Sequence, residues 1–401
     1  MRVVFLNHYA GVFGGVESYV RRAAAGLSGL GVECILGRIE DRGEVSGYLE
    51  PFASSFKRDD VAGLVEEAAR LEPDAVFVHK LADTRALLSL KGRTRLVRYV
   101  HDHDLTCPRR HKYFAWNGRI CDRAAGAFCH LDAGFLEKRG KFVGFRSPRA
   151  FFDELSANRE LDLLLVGSQW MQSELLANGF NPARLRVLPP STPPSPKPAP
   201  GTGVRASTGG GADVGTDPAS EPFILYVGQL IRGKGVDLLI DAFARLLGVR
   251  PRLRLVIAGS GNAEWSLKEQ TKQLGIIASV RFAGQVGEEE LDRLYAEAAL
   301  LAVPSRWPEP FGMVGLEAMR RGLPVAAFAA GGIPDWLEDG ATGILAKAGE
   351  PAALAVAMEK ILADPVLGRR LGEAGRIKAE RDFSFPASME SLTSYLSGEA
   401  S

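Results

Sequence analysis

Between Pro189 and Pro222 the sequence all but loses its large apolar residues and turns to Pro, Gly, Ser, Thr and Ala. Such a stretch cannot bury enough surface to order itself, so it reads as a linker with a flexible insertion. It therefore forces whatever lies on either side to close its own core. Before it, apolar runs at Val3–Leu6, Ala75–Val78, Leu96–Val100, Leu163–Val166 and Arg186–Leu188 read as strands. Helical patterns such as Glu17–Leu30 and Val61–Leu71 separate them. After it the alternation restarts, with strands at Ile224–Val227, Leu253–Ala258, Val280–Ala283, Leu300–Val303, Pro324–Ala327 and Gly343–Leu345. Helices are expected near Val236–Leu247, Glu288–Ala298, Val314–Arg321 and Ala352–Leu362. Strand-helix alternation implies parallel strands joined by crossover helices, hence an α/β chain with two doubly wound, Rossmann-like domains. A ligand cleft is expected where the carboxyl ends of the strands face each other. No fixed-period repeat is visible.

The 401 residues suit two domains, and 46% hydrophobic with 24% charged residues is the composition of a packed globular protein. A net charge of +1 argues against a nucleic-acid binder. The local basic cluster Arg139, Lys141, Arg146 and Arg149 reads as a solvated loop in preference to an anionic-lipid contact. No secretory pattern opens the chain and no run of about 18 apolar residues occurs, so cytoplasm is the expected location.

Three segments carry chemistry. Gly11-Val12-Phe13-Gly14-Gly15-Val16-Glu17 follows the first strand and opens a helix. Its glycines admit backbone N–H groups to a ligand, although a tight structural turn would look the same. Gly228 through Gly235 nearly spells a phosphate-binding loop, with Gly233 and Lys234 in place. Gly235, however, stands where a magnesium-binding hydroxyl belongs, which disfavours a metal-dependent nucleotide hydrolase. Arg232 and Lys234 still suit a diphosphate. The third segment, Glu309-Pro310-Phe311-Gly312-Met313-Val314-Gly315-Leu316-Glu317, places one glutamate ahead of a helix and one inside it. The N–H groups of Gly312, Met313 and Val314 would then face a ligand at the positive end of the helix dipole.

Taken together, the Glu-x7-Glu stretch, Gly14-Gly15-Val16-Glu17, Gly228 to Lys234 with Gly235-Val236-Asp237-Leu238-Leu239, and Ala330-Gly331-Gly332-Ile333-Pro334 resemble retaining glycosyltransferases of family 4. The resemblance implies the GT-B fold, no metal requirement and retention of the donor's anomeric configuration. It assigns residues 1–188 to an acceptor-side domain, 189–222 to a linker and 223–382 to a nucleotide-sugar domain. Residues 383–401 then form a helix that crosses back to the first domain, with Phe383-Ser384-Phe385 ahead of a helical stretch Ser388–Leu396. By position, Glu317 would bind the donor ribose, and Glu309 the transferred sugar with the positive charge near its anomeric carbon. Lys234 would neutralise the leaving diphosphate, and the Gly14-Gly15 loop would close on phosphates and acceptor. His101, at the end of a strand, would approach the donor sugar, with Glu17 and Asp102 on the acceptor side. Gln229 departs from the family pattern, where many members carry a diphosphate-binding arginine; Arg232 is its candidate substitute. Asp335 stands where glutamate is usual.

The resemblance thus predicts hexosyl transfer from a nucleoside-diphosphate sugar, without cofactor, to a glycan, lipid-linked or small-molecule acceptor. A role in polysaccharide synthesis is preferred, with peripheral contact at the cytoplasmic membrane face. The alternatives are another GT-B enzyme such as a nucleotide-sugar epimerase, and a non-catalytic nucleotide-sugar-binding or scaffold protein. Asp102-His103-Asp104 spells a metal-binding Asp-x-Asp, but it reads as an acceptor-side loop. Cys107, Cys121 and Cys129, near His103, His111 and His130, could hold zinc, though their spacing fits no Cys-x-x-Cys knuckle. Packed free thiols are the simpler reading.

Overall fold

The computed structural model describes residues 1–11, 14–114, 118–139, 142–193 and 222–399, which form two compact units. The first comprises Met1–Lys112, Cys121–Thr192 and Phe383–Ser401; the second comprises Tyr113–Ile120 and Pro193–Asp382. Most of the expected linker lies outside the described residues, as does Lys141.

The first unit is built on a 7-stranded parallel sheet. Its strands are β1 (Arg2–Ala10), β2 (Glu33–Asp41), β3 (Ser54–Lys57), β4 (Ala75–Val78) and β5 (Arg95–Val100). A separate antiparallel hairpin, β6 (Leu136–Arg139) with β7 (Phe142–Phe145), precedes β8 (Leu163–Val166) and β9 (Leu185–Val187). The order is β3-β2-β1-β4-β5-β8-β9. Alternate residues serve opposite faces. Val3, Phe5, Phe77, Val97 and Tyr99 pack in one core layer, while Val4, Leu6, Val76, Val78 and Leu96 pack in the other. Burial on both faces is why these strands read as unbroken apolar runs.

The carboxyl-terminal helix Phe385–Ser397 belongs to the first unit. Met389, Leu392 and Leu396 enter its core beside Ala23 and Leu27, and Arg95 Nε donates to the Tyr395 carbonyl at 2.7 Å. A Cβ on Gly26 would lie 2.5 Å from the Met389 side chain, so that glycine lets the two helices close up.

The second unit holds β10 (Phe223–Val227), β11 (Arg254–Ala258), β12 (Val280–Gly284), β13 (Leu300–Val303), β14 (Val325–Phe328) and β15 (Ile344–Ala346). They form a 6-stranded parallel sheet in the order β12-β11-β10-β13-β14-β15. In each sheet the order reverses at one strand, β1 or β10. The crevice outside the carboxyl ends beside such a strand is where open α/β sheets bind ligands.

Two differences from expectation have physical causes. The excursion Tyr113–Ile120 interrupts the first unit and groups with the second, which apolar patterning has no means to show. The helix Pro365–Asp382 carries Gly368, Gly372 and Gly375, which lower its helical signal. Those glycines serve packing: a Cβ on Gly372 would meet the Gly322 carbonyl oxygen at 2.0 Å. Among the described residues, no helix is long and apolar enough to cross a membrane.

Candidate active site

In the second unit three loops at strand carboxyl ends converge on Glu309. The loop after β10 ends in a single turn of 3-10 helix, Arg232–Lys234, and then Gly235 at φ 68° starts the helix Val236–Leu247. A Cβ on Gly235 would lie 2.0 Å from the Pro304 carbonyl oxygen. That contact is why no hydroxyl residue completes a phosphate-binding loop here. The Gly233 carbonyl in turn accepts the N–H groups of Arg306 and Trp307 at 2.9 and 3.0 Å, tying this loop to the one after β13.

Lys234 Nζ reaches Glu309 Oε1 at 2.7 Å and stands 5.1 Å from the centre of the Trp307 ring. The Ser305 hydroxyl donates to the same carboxylate oxygen. Glu309 is only 4% exposed. Burial alone would raise its pKa, but the charge of Lys234 and hydrogen bonds from Lys234, Ser305 and Trp307 outweigh it. The carboxyl therefore stays below its ordinary value and ionised at neutral pH.

The Glu309 backbone is held as firmly as its side chain. Its carbonyl accepts the Gly332 N–H at 2.7 Å, and it forms a parallel bridge with Gly331. Gly331 has φ 61°, and a Cβ there would lie 2.3 Å from the Glu309 carbonyl oxygen. Gly331 thus occupies a place that only glycine fits, and the Gly332 N–H closes the clamp. The fully buried Trp336 donates from Nε1 to the Phe311 carbonyl at 2.6 Å, and a Cβ on Gly315 would lie 2.0 Å from its ring. These contacts fix the turn at Gly312 (φ 98°), from which the helix Met313–Arg320 starts. Its first N–H groups have no acceptor within the helix and aim outward from the positive end of its dipole. One turn in, half-buried Glu317 accepts from the Tyr295 hydroxyl at 3.3 Å.

In the first unit the helix Gly15–Gly29 starts after β1 with Gly14 as its cap. Glu17 is 4% exposed and folds back, so that a Cβ on Gly14 would lie 2.7 Å from its Oε2. Burial raises the Glu17 pKa, against smaller opposing effects from its own backbone N–H, Asn7, Lys80 and Arg42. At the end of β5, half-buried His101 meets His79 at the end of β4, with Nε2 to Nδ1 at 3.0 Å. Burial pulls His101 down to about 3, with Asp102 opposing and Lys80 and Arg98 assisting. Lys80 Nζ contacts Asp102 at 2.5 Å and Asp104 at 3.5 Å. Burial would lower the ammonium; the two carboxylates outweigh it and push it up to about 12. Asp102 and Asp104 are therefore engaged by a lysine.

Residues 13–195 match the family described as Glycosyltransferase Family 4, and residues 214–378 match Glycosyl transferases group 1. The chain thus carries a region matching Glycosyltransferase Family 4 followed by one matching Glycosyl transferases group 1. A D-inositol 3-phosphate glycosyltransferase of Corynebacterium jeikeium is 35% identical over 240 residues, 58% of this chain and 56% of the relative. A glycogen synthase of Mycobacterium tuberculosis is 35% identical over 170 residues, 42% of this chain and 40% of the relative. The matches to these curated relatives thus span about half of their length or less. Among solved structures, Anabaena HepE in complex with UDP-glucose superposes with a TM-score of 0.73 at 21% identity, covering 99% of this chain and 100% of that one. Sucrose-phosphate synthase from Thermosynechococcus elongatus gives 0.72 at 20% identity, covering 100% of both chains. These likenesses show the GT-B fold.

The chain thus divides its expected site residues into two groups. Arg232, Lys234, Glu309, Gly312, Met313, Val314 and Glu317 lie on neighbouring loops and helix starts of the second unit; Gly14, Gly15, Glu17, His101 and Asp102 lie at strand ends of the first. Arg232 and Gln229 are exposed. Arg306 is instead ion-paired with Asp237. Tyr113 is buried near Gly233. Among the described residues no set of three or more His, Cys, Asp or Glu side chains is grouped for a metal, and Cys107, Cys121 and Cys129 are free thiols. Sequence reasoning missed Ser305, Tyr295, Trp336, His79 and Lys80. The apolar run that ends at His79-Lys80 was a usable signal, because strand carboxyl ends are where such residues act.

Proposed function

We propose that this glycosyltransferase moves a hexose from a nucleoside-diphosphate sugar to a glycan or lipid-linked acceptor, with retention of anomeric configuration and without a metal. The observation that carries the reading is the ion pair of half-buried Lys234 with buried Glu309, held beside the start of the helix Met313–Arg320. In the transfer, the bond between the anomeric carbon and the diphosphate oxygen breaks and its electron pair leaves with the diphosphate. The acceptor oxygen forms the new bond to that carbon and gives up its proton to the departing diphosphate oxygen. Negative charge grows on the diphosphate, and positive charge on the sugar ring. Lys234, Arg232 and the N–H groups of Gly312, Met313 and Val314 serve the first charge. The ionised Glu309 serves the second and accepts sugar hydroxyls. Such preorganised charge is the largest lever an enzyme of this kind has. Glu317 takes the ribose, Gly14 and Gly15 the phosphates, and His101 the donor sugar, with Glu17 and Asp102 on the acceptor side. The UDP-glucose held by HepE makes uridine diphosphate sugars the first donors to try. The expected workplace is the cytoplasmic face of a membrane that presents the acceptor.

The test is turnover of α-linked UDP-, GDP- and ADP-hexoses with glycan acceptors in EDTA, followed by proton NMR. An α-configured product formed first supports the reading. A β-configured first product overturns retention, and loss of turnover in EDTA overturns metal independence. No turnover with any donor favours a binding or scaffold role.

A further inference from the structure

His79 ends β4 and is 1% exposed. The rings of Phe5, Phe77 and Tyr19 surround it at centroid distances of 5.6, 4.3 and 5.9 Å. Its Nδ1 stands 3.0 Å from His101 Nε2, while its own Nε2 is buried with no hydrogen-bond partner. Burial holds both imidazoles below the ordinary range, so each is neutral near pH 7 and carries one proton. Across the 3.0 Å contact one nitrogen must donate and the other accept. Were His101 the donor, His79 would carry its proton on Nε2, a buried N–H without an acceptor. Orphaned buried N–H groups are rarer than under-used acceptors. The favourable arrangement therefore has His79 Nδ1–H donating to His101 Nε2, which leaves the His101 proton on Nδ1.

We propose that His79 is a positioning residue that locks half-buried His101 as its Nδ1–H tautomer, so that His101 offers a neutral hydrogen-bond donor to a hydroxylated ligand. The sugar as that ligand rests on the function proposed above; the tautomer lock does not. A neutral donor matches an uncharged hydroxyl, and the aromatic wall keeps the pair from taking up a proton that would change its role.

The test is nitrogen-15 NMR of the full chain labelled at histidine. Six histidines are present, so the His101 signals are assigned by comparison with His101→Gln. The expected wild-type pattern has the proton on Nδ1, the minority tautomer of free imidazole. His79→Asn, whose amide can donate from nearly the same place, keeps that pattern. His79→Leu shifts His101 toward the Nε2–H tautomer. A wild-type His101 protonated on Nε2 overturns the proposal, as does an unchanged tautomer in His79→Leu. Should His79→Leu not fold, the wild-type and His79→Asn spectra still decide. None of these readings needs a substrate, so they stand apart from the fate of the transferase assay.

Discussion

In the first unit the strand ends carry two imidazoles, His79 and His101, that burial keeps neutral. In the second they carry a carboxylate, Glu309, that is buried as deeply yet ionised, because Lys234 and its hydrogen bonds outweigh desolvation. The contrast teaches that burial does not by itself fix a charge state; the partner does. It also sorts the chemistry, since neutral imidazole suits hydroxyls, whereas an ion pair beside a helix start suits a diphosphate and a cationic sugar ring.

The comparison breaks most visibly if the partner is removed. Lys234→Ala leaves Glu309 buried without its counter-charge, and is expected to cost about 3 kcal/mol of stability in urea unfolding. Turnover should fall by roughly 10²- to 10³-fold, as when one preorganised donor is lost. Wild-type stability in that variant would mean that Glu309 is neutral already. Next in size, Gly235→Ala forces a Cβ against the Pro304 carbonyl oxygen and into positive φ. It should cost about 2 kcal/mol or more, seen as a lower Tm, while Gly15→Ala, whose Cβ meets nothing, should cost far less.

A pH series sharpens the same contrast. The folded pKa of His101 is about 3 against an ordinary 6.5, so the unfolded chain takes up protons first as pH falls. Its contribution is full above about 6.5 and is lost progressively as pH drops toward about 3. Glu309 is shifted below its ordinary 4.5, so its contribution is present above that value and is lost only as pH falls through the lower folded one. Hydrogen exchange at about pH 5.5 should therefore show faster opening of first-unit peptides than at neutral pH, with the peptide around Glu309 unchanged. The smallest stability effect belongs to Glu317→Ala. It removes the 3.3 Å contact with Tyr295 and should change stability by about 1 kcal/mol. Nucleotide binding should nonetheless be lost.

Both doubly wound sheets were legible in the sequence because their central strands are buried on both faces and read as apolar runs. The edge strand β3, Ser54–Lys57, was not, since it is polar and largely exposed, and neither was β2, Glu33–Asp41, whose buried run is short and flanked by charged residues. Glu309, Glu317 and Lys234 were legible from spacing and resemblance. What was not legible is what holds them. Trp336 lies 27 positions beyond Glu309 and acts through the Phe311 carbonyl, a contact no local pattern encodes. The Gly331-Gly332 clamp was visible as a motif, but its purpose, to admit the Glu309 backbone, appears only in three dimensions. The His79–His101 pair likewise joins the ends of two strands 22 residues apart.

The most direct test of the central claim, that Lys234, Glu309 and the start of the helix Met313–Arg320 form a nucleoside-diphosphate-sugar site, is a thermal-shift titration with UDP, GDP, ADP and their hexoses, each with and without EDTA. The account predicts that one nucleotide raises the wild-type Tm in a concentration-dependent way, unaffected by EDTA. It also predicts that Lys234→Ala and Glu317→Ala remove that rise. A rise that survives in both variants, or no rise with any of the nucleotides, would contradict it.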